Sequence, residues 1–151
     1  MKLTRREALL VAAGGAVALT AGSLGLPAFA AEGEAQKLID EFTGGATPEA
    51  GKISLSAPEI AENGNTVPVG FEIDSPMTAD DHIETVMLLA PANPRPGVAT
   101  FHFTELSGKA AASTRMRLAK TQDLVAVAKT SKGAFYMDTK PVKVTIGGCG
   151  G

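Results

Sequence analysis

The residues best suited to chemistry stand at the end of the sequence, which reads Gly147-Gly148-Cys149-Gly150-Gly151. Cys149 is the one cysteine in 151 residues, so it cannot form an intramolecular disulfide. In an exported protein, an unpaired cysteine indicates an intermolecular bond or a reactive thiol. The glycines around it have no side chains that could pack, and their backbone is conformationally free. We therefore predict a flexible arm, formed by Gly147, Gly148, Gly150 and Gly151, that presents the Cys149 thiol to other molecules.

The Cys149 thiol has no basic neighbour within this arm, and Lys143 is the nearest Lys, Arg or His in the sequence. An unperturbed cysteine thiol has a pKa of about 8.5, so only a few per cent is thiolate near neutral pH. Our hypothesis is that the active site of a partner, and not this chain, activates the thiol. In an oxidising compartment, an exposed thiol is also expected to form a Cys149–Cys149 disulfide between two molecules.

The arm follows a strand pattern in which Val142, Val144 and Ile146 recur at every second position. Burial of these three aliphatic side chains predicts a well-anchored edge strand, which the arm leaves at Gly147. Three residues carry the backbone of Cys149 at most about 10 Å beyond Ile146. That reach suffices to enter a narrow active-site channel, in which side chains larger than glycine would obstruct passage.

The elements that position the arm have the period of β-strands from residue 52 onward. Short alternating segments with turn signals between them are typical of an immunoglobulin-type sandwich. We predict an all-β, immunoglobulin-like antiparallel β-sandwich over residues 52–146, with a short N-terminal helix and a flexible C-terminal arm over residues 147–151. Pro68 cannot donate a ladder hydrogen bond, which predicts an edge or a bulge in its strand. The predicted strands are Lys52–Ala61, Val67–Ile73, Ile83–Ala90, Val98–Thr104, Ser113–Leu118, Asp123–Lys129, Ala134–Asp138 and Pro141–Ile146.

Residues 1–30 are organised like a secretory signal peptide. Residues 4–10, which read TRREALL, resemble the twin-arginine pattern, and Ala28-Phe29-Ala30 is a small-x-small cleavage site. The segment between them is only mildly apolar and would be weak as a permanent membrane span. These features predict export by the twin-arginine route, a mature chain that starts at Ala31, a periplasmic location and no membrane attachment after cleavage.

Residues 31–51 are predicted to form a short helix and a linker. Leu38, Ile39 and Phe42 fall on one face of the helical segment Glu34–Phe42, and Gly44-Gly45 ends it. A helix this short is marginal alone in water, so we expect it to dock on the sandwich.

Composition and the remaining polar residues argue against several classes of function. The sequence has no Trp, one Tyr and a net charge of −2, which argues against an aromatic platform or a basic footprint for nucleic acid. His82 and His102 are the only histidines, and Cys149 lacks the following His and Met of a cupredoxin copper site. Asp80-Asp81 lacks the alternating oxygen ligands of a calcium loop. We predict no metal, no cofactor and no catalytic residue in this chain.

Four blocks of sequence form a pattern that extends beyond the arm. They are PEIAENGNTVP at 58–68, SPM at 75–77, PRPGVATF at 94–101 and GGCGG at 147–151. Together with the twin-arginine signal, these blocks resemble the SoxY family, the sulfur-carrier subunits of the periplasmic Sox thiosulfate-oxidation system.

The resemblance implies a carrier protein and not an enzyme, with sulfur intermediates bound covalently to Cys149. It implies a heterodimer with a SoxZ-like β-sandwich subunit, for which the sheet face at Ile83–Ala90 is one candidate docking surface. It also implies three catalytic partners. A haem cytochrome couples thiosulfate to the thiol, a hydrolase releases sulfate, and a sulfane dehydrogenase oxidises the remaining sulfur.

Two other functions remain open at this point. One is a thiocarboxylate carrier, in which the C-terminal Gly150-Gly151 is adenylated and loaded with sulfur, although an export signal argues against such ATP-dependent cytoplasmic chemistry. The other is a structural sandwich with a tethered tail. Sulfur on Cys149, sulfur on the Gly151 carboxylate or a lipid adduct would distinguish the three.

Overall fold

The computed structural model describes residues 27–148, with side chains from Gly33 onward. Cys149, Gly150 and Gly151 lie outside the described residues, as do residues 1–26 of the predicted signal peptide. The described chain forms one α-helix and two packed β-sheets, which confirms the predicted all-β sandwich with an N-terminal helix. Helix α1 spans Pro27–Thr43, and a 3₁₀ turn spans Glu105–Ser107. The strands are β1 (Ile53–Ser56), β2 (Ile60–Asn63), β3 (Val67–Ile73), β4 (Ile83–Leu89), β5 (Gly97–His102), β6 (Ala110–Met116), β7 (Gln122–Thr130) and β8 (Phe135–Ile146).

One sheet has three strands in the order β1-β3-β6, and the other has five in the order β2-β8-β7-β4-β5. Neighbouring strands run antiparallel except β2 and β8, which are parallel with Ala61 opposite Val144. The predicted strand Lys52–Ala61 is therefore divided, with β1 in the first sheet and β2 in the second. The chain crosses between the sheets at Ala57-Pro58, where proline has no N–H for a ladder.

An apolar core fills the space between the two sheets. Phe71 of β3 makes edge-to-face contacts with Phe101, at 5.2 Å between ring centroids, and with Phe103, at 6.1 Å. Such pairs stabilise by about 0.5–1.5 kcal/mol beyond the area that they bury. Fully buried members of the core include Ile83, Val86, Leu118, Leu124 and Val142.

Helix α1 covers the outer face of the five-stranded sheet. The prediction that Leu38, Ile39 and Phe42 dock on the sandwich is confirmed, since they pack against a second apolar cluster. Its buried members are Met87, Leu89, Val125 and Val127. The face of β4 that was a candidate docking surface is therefore covered by the chain's own helix and not exposed.

The helix is longer than predicted, because it begins at Pro27 and not at Glu34. Proline is favoured at the first helical position, where its missing N–H costs nothing. The predicted stop is confirmed. Gly44 and Gly45 adopt φ of 64° and 84°, and the Gly45 N–H donates to the Asp40 carbonyl at 3.1 Å, as in a Schellman motif.

Two prolines mark details of the strands. The pairing of β1 with β3 ends at Gly70, so at Pro68 strand β3 has only β6 beside it, as the predicted edge requires. Pro141 lies within a continuous β8 opposite Asp123, where two separate strands were predicted.

Within residues 27–148, no helix is long and apolar enough to cross a membrane.

Candidate functional site

The arm leaves from the end of β8, where burial decreases along the strand. Val142 is 1% exposed, Val144 is half-buried and Ile146 is 66% exposed, so the prediction that all three are buried is wrong for Ile146. The β7–β8 ladder begins with Gln122 opposite Val142, so β7 does not extend beside Ile146. The prediction of an edge strand is also wrong, since β2 pairs with β8 on its other side as far as Ile146.

Backbone hydrogen bonds continue beyond the strand and hold the next residues. The Gly64 N–H donates to the Ile146 carbonyl at 2.7 Å, and the Gly64 carbonyl accepts from the Leu118 N–H at 2.8 Å. The Leu118 carbonyl then accepts from the Gly148 N–H at 2.8 Å, and Gly148 is buried. The expectation that nothing in the glycine segment packs is wrong for Gly147 and Gly148. We call residues 146–148 the arm root.

Close backbone packing explains why glycine is needed in the arm root. A Cβ added to Gly147 would overlap the carbonyl oxygen of Ala119, and one added to Gly148 would lie 2.6 Å from the carbonyl oxygen of Gly64. A Cβ on Gly64 would in turn lie 2.7 Å from the amide nitrogen of Gly148. None of these three glycines has a positive φ, so it is space and not an unusual conformation that excludes a side chain.

The two loops that hold the arm root each carry the chain from one sheet to the other. Gly64 lies between β2 and β3, and Leu118 and Ala119 lie between β6 and β7. The Leu118 side chain is 0% exposed within the core. The arm root is therefore fixed to both loops that join the two sheets and not only to β8.

A pair of buried amide side chains holds the loop of residues 117–120. Asn93 donates through Nδ2 to the Arg117 carbonyl at 2.8 Å and accepts at Oδ1 from the Ala119 N–H at 2.9 Å. Gln122 Nε2 donates to the same Oδ1 at 2.9 Å and to the Lys120 carbonyl at 3.2 Å. Asn93 does not stand out in the sequence, because an asparagine in a proline-rich segment predicts only a loop.

A surface groove of about 850 Å³ lies beside β8 and is lined in part by Lys120, Lys140 and Lys143. In the described part of the chain, these three lysines form no salt bridge, whereas five others do. The carboxylates of Glu59 and Asp123 also line the groove. Three lysines and two acidic residues therefore line the groove, and Lys120 belongs to the loop that holds the arm root.

The two histidines bond locally and are not part of the arm root. His82 Nδ1 lies 3.0 Å from the Thr78 carbonyl, and His102 Nδ1 lies 3.4 Å from Thr85 Oγ1. Among the described residues, no three His, Cys, Asp or Glu side chains come together as a metal site. Cys149 itself lies outside these residues, so the site is defined by the backbone that leads to it.

Comparison with known families adds an observation on the sequence itself. The family model described as sulfur oxidation protein SoxY matches residues 39–149, which is most of the chain. The chain belongs to the SoxY family. The matched region contains the arm root, the loops that hold it and Cys149.

Solved structures agree with this assignment. The sulfur carrier protein SoxY from Chlorobium limicola f thiosulfatophilum is 35% identical, with a TM-score of 0.61, over 76% of this chain and 98% of that one. The superoxide reductase neelaredoxin from Ignicoccus hospitalis is 19% identical, with a TM-score of 0.55, over 62% and 80%. The superoxide reductase from Nanoarchaeum equitans is 13% identical, with a TM-score of 0.53, over 63% and 99%. The two reductases show the fold alone. No curated protein matches the sequence.

Proposed function

We propose that this chain is a periplasmic sulfur carrier that binds intermediates of thiosulfate oxidation covalently on Cys149 and presents them to partner enzymes. The observation that carries the proposal is the SoxY family match, which extends to Cys149. The solved Chlorobium relative is described as a sulfur carrier protein. The geometry of the arm root supports the same role, because Cys149, to which a substrate would be attached, directly follows a residue held by the loop of residues 117–120.

The covalent chemistry balances with one external oxidant. The Cys149 thiol and thiosulfate lose two electrons and the thiol proton and form a sulfur–sulfur bond, which gives a cysteine S-thiosulfonate. A haem cytochrome is the class of oxidant that accepts the electrons. Water then cleaves the terminal sulfonate as sulfate, with release of two protons, and leaves a persulfide anion on Cys149. A hydrolase and a sulfane dehydrogenase are the partners for this step and for the later oxidation.

The chain acts in this scheme as a carrier and not as an enzyme. The arm root consists of Ile146, Gly147 and Gly148, which offer backbone groups but no side-chain acid or base. The partner's active site therefore activates the thiol. Isolated protein should react with iodoacetamide at the rate of an ordinary cysteine, and a rate typical of a strongly lowered thiol pKa would contradict this assignment.

The proposed partner within the complex is a SoxZ-like β-sandwich subunit. The twin-arginine motif in residues 4–10 supports export of the chain to the periplasm, where thiosulfate is encountered. Because that route exports folded proteins, we propose that the partner subunit travels with this chain on one signal. Deletion of residues 1–30 should then retain both subunits in the cytoplasm.

Intact-mass spectrometry tests the carrier function directly. The purified chain is incubated with thiosulfate and its cognate haem cytochrome, with Cys149→Ser as the matched variant. We expect a thiosulfonate adduct on the wild-type chain and none on the variant. Reduction with a thiol should remove the adduct.

The other outcomes identify the competing functions. Sulfur that persists on Cys149→Ser and maps to the Gly151 carboxylate would indicate a thiocarboxylate carrier. A lipid mass on the tail without any sulfur adduct would indicate a structural tether. A Cys149–Cys149 disulfide, seen without reductant and absent from the variant, would show that the thiol is exposed.

A further inference from the structure

Asn93 is a buried polar residue with no part in the chemistry proposed above. It is 2% exposed, and its amide group uses both its donor and its acceptor on the backbone of one loop. A buried polar side chain without such partners is destabilising. The bonds therefore fix the loop and the side chain together.

The two backbone bonds of Asn93 lie on either side of Leu118. One goes to the Arg117 carbonyl and the other comes from the Ala119 N–H. The Ala119 N–H belongs to the same peptide group as the Leu118 carbonyl, which accepts from the Gly148 N–H at 2.8 Å. The Ala119 carbonyl, which closely approaches Gly147, lies in the next peptide group. The orientation of the carbonyl that binds Gly148 thus depends on Asn93.

We propose that Asn93 is the positioning residue of the carrier arm. Through the loop of residues 117–120 it holds Gly148, and Gly148 sets the point from which Cys149 extends. Gln122 supports the same arrangement, since its amide donates to Asn93 Oδ1 at 2.9 Å.

This arrangement shortens the reach of the thiol. With Gly148 held, the Cα atom of Cys149 can move only at a radius of about 3.8 Å around that of Gly148. If the segment were free from Gly147 onward, the same atom could move anywhere within about 10 Å of Ile146. A partner must therefore bring its reacting group close to this end of the sandwich or separate Gly148 from Leu118. The consequence for sulfur transfer rests on the proposed function, but the positioning of the arm root does not.

Amide hydrogen exchange of the full chain, measured by NMR, tests the positioning role without sulfur or a partner. In the wild type, the Gly148 amide should exchange at least about tenfold more slowly than an unstructured glycine amide. Asn93→Leu keeps the side-chain size but removes both bonds to the loop and the one from Gln122. In this variant, the Gly148 rate should return to within about threefold of the unstructured rate. A nitroxide label on Cys149 should become more mobile in the same variant.

Thr130→Val is the matched control. Thr130 is 4% exposed, and its Oγ1 accepts from the Ala134 N–H at 3.0 Å in the turn at the opposite end of β8. Both variants remove a buried side-chain bond to a loop and should reduce global stability. Only Asn93→Leu should release Gly148 relative to the core amides of β7.

Two results would overturn the proposal. One is a wild-type Gly148 amide that exchanges as fast as an unstructured glycine, which can be measured even if Asn93→Leu does not fold. The other is an equal effect of both variants on Gly148. Failure of the carrier function would appear separately, as the absence of a sulfur adduct on a chain whose Gly148 is protected.

Discussion

The turn between β7 and β8 and the arm root lie at opposite ends of β8, and both depend on glycine. Gly133 in the turn has a φ of 79°, and an added Cβ there would meet open space. Gly147 and Gly148 of the arm root, and Gly64 beside them, have no positive φ, but an added Cβ on each would be too close to neighbouring backbone. Glycine therefore allows a bend at one end of β8 and close contact between chain segments at the other.

This difference changes how the glycines around Cys149 are interpreted. Flexibility alone would leave every glycine of the arm equally replaceable by another small, flexible residue. Close packing makes Gly147 and Gly148 specific to the loops that they contact, since even one methyl group does not fit. The arm thus combines a held root with the thiol-bearing segment of residues 149–151.

The largest effect on stability should come from Leu118, the side chain that anchors the loop of residues 117–120 in the core. Leu118 is 0% exposed, and Leu118→Ala should lower the free energy of unfolding by about 2–5 kcal/mol through lost burial and a cavity. Leu106 is 89% exposed, so Leu106→Ala should change it by less than about 0.5 kcal/mol. Urea unfolding of both variants measures the difference. Equal small losses would show that the loop of residues 117–120 is not anchored in the core.

The next largest effect should separate the two kinds of glycine. Gly64→Ala should cost about 1–3 kcal/mol, because the new Cβ meets the backbone of Leu118 and Gly148 and neither can move freely. Gly133→Asn should cost less than about 1 kcal/mol, since asparagine tolerates a left-handed conformation and has room there. Urea midpoints at a common slope give both values. A larger loss for Gly133→Asn would reverse our explanation of the arm root.

Many strands of the sandwich could be predicted, because the alternation of apolar and polar residues along a strand is visible within its own short segment. Strand β3 alternates buried and exposed positions as its sequence does, and the Gly44-Gly45 stop of helix α1 needs only its own residues. The parallel pairing of β2 with β8 could not be predicted in this way. It depends on which sheet the chain joins after Ala57-Pro58, and that choice is decided by packing between distant segments.

The candidate site also has one part that is local in sequence and one that is not. The thiol and its glycine neighbours are apparent from residue types, and they belong to the pattern by which the sequence resembles the SoxY family. The hydrogen bonds that fix the arm root were not apparent from the sequence, because they connect Gly148, Leu118 and Gly64 through backbone atoms. Side-chain patterns carry no information about such contacts. Gly64 lies in the turn between β2 and β3, and its role in holding another segment follows only from the fold.

The smallest effect on stability should come from Ile146, which has the one side chain of the arm root. Ile146 is 66% exposed, so Ile146→Ala should lower the free energy of unfolding by less than about 0.5 kcal/mol. Val142, at 1% exposure on the same strand, should lose about 1–3 kcal/mol on substitution by alanine, since its methyl groups fill the core. Thermal or urea unfolding of the two variants provides the measurement. If Ile146→Ala costs as much as Val142→Ala, the Ile146 side chain and not the backbone bonds of Gly64 and Gly148 holds the end of β8, and the arm root resembles the core after all.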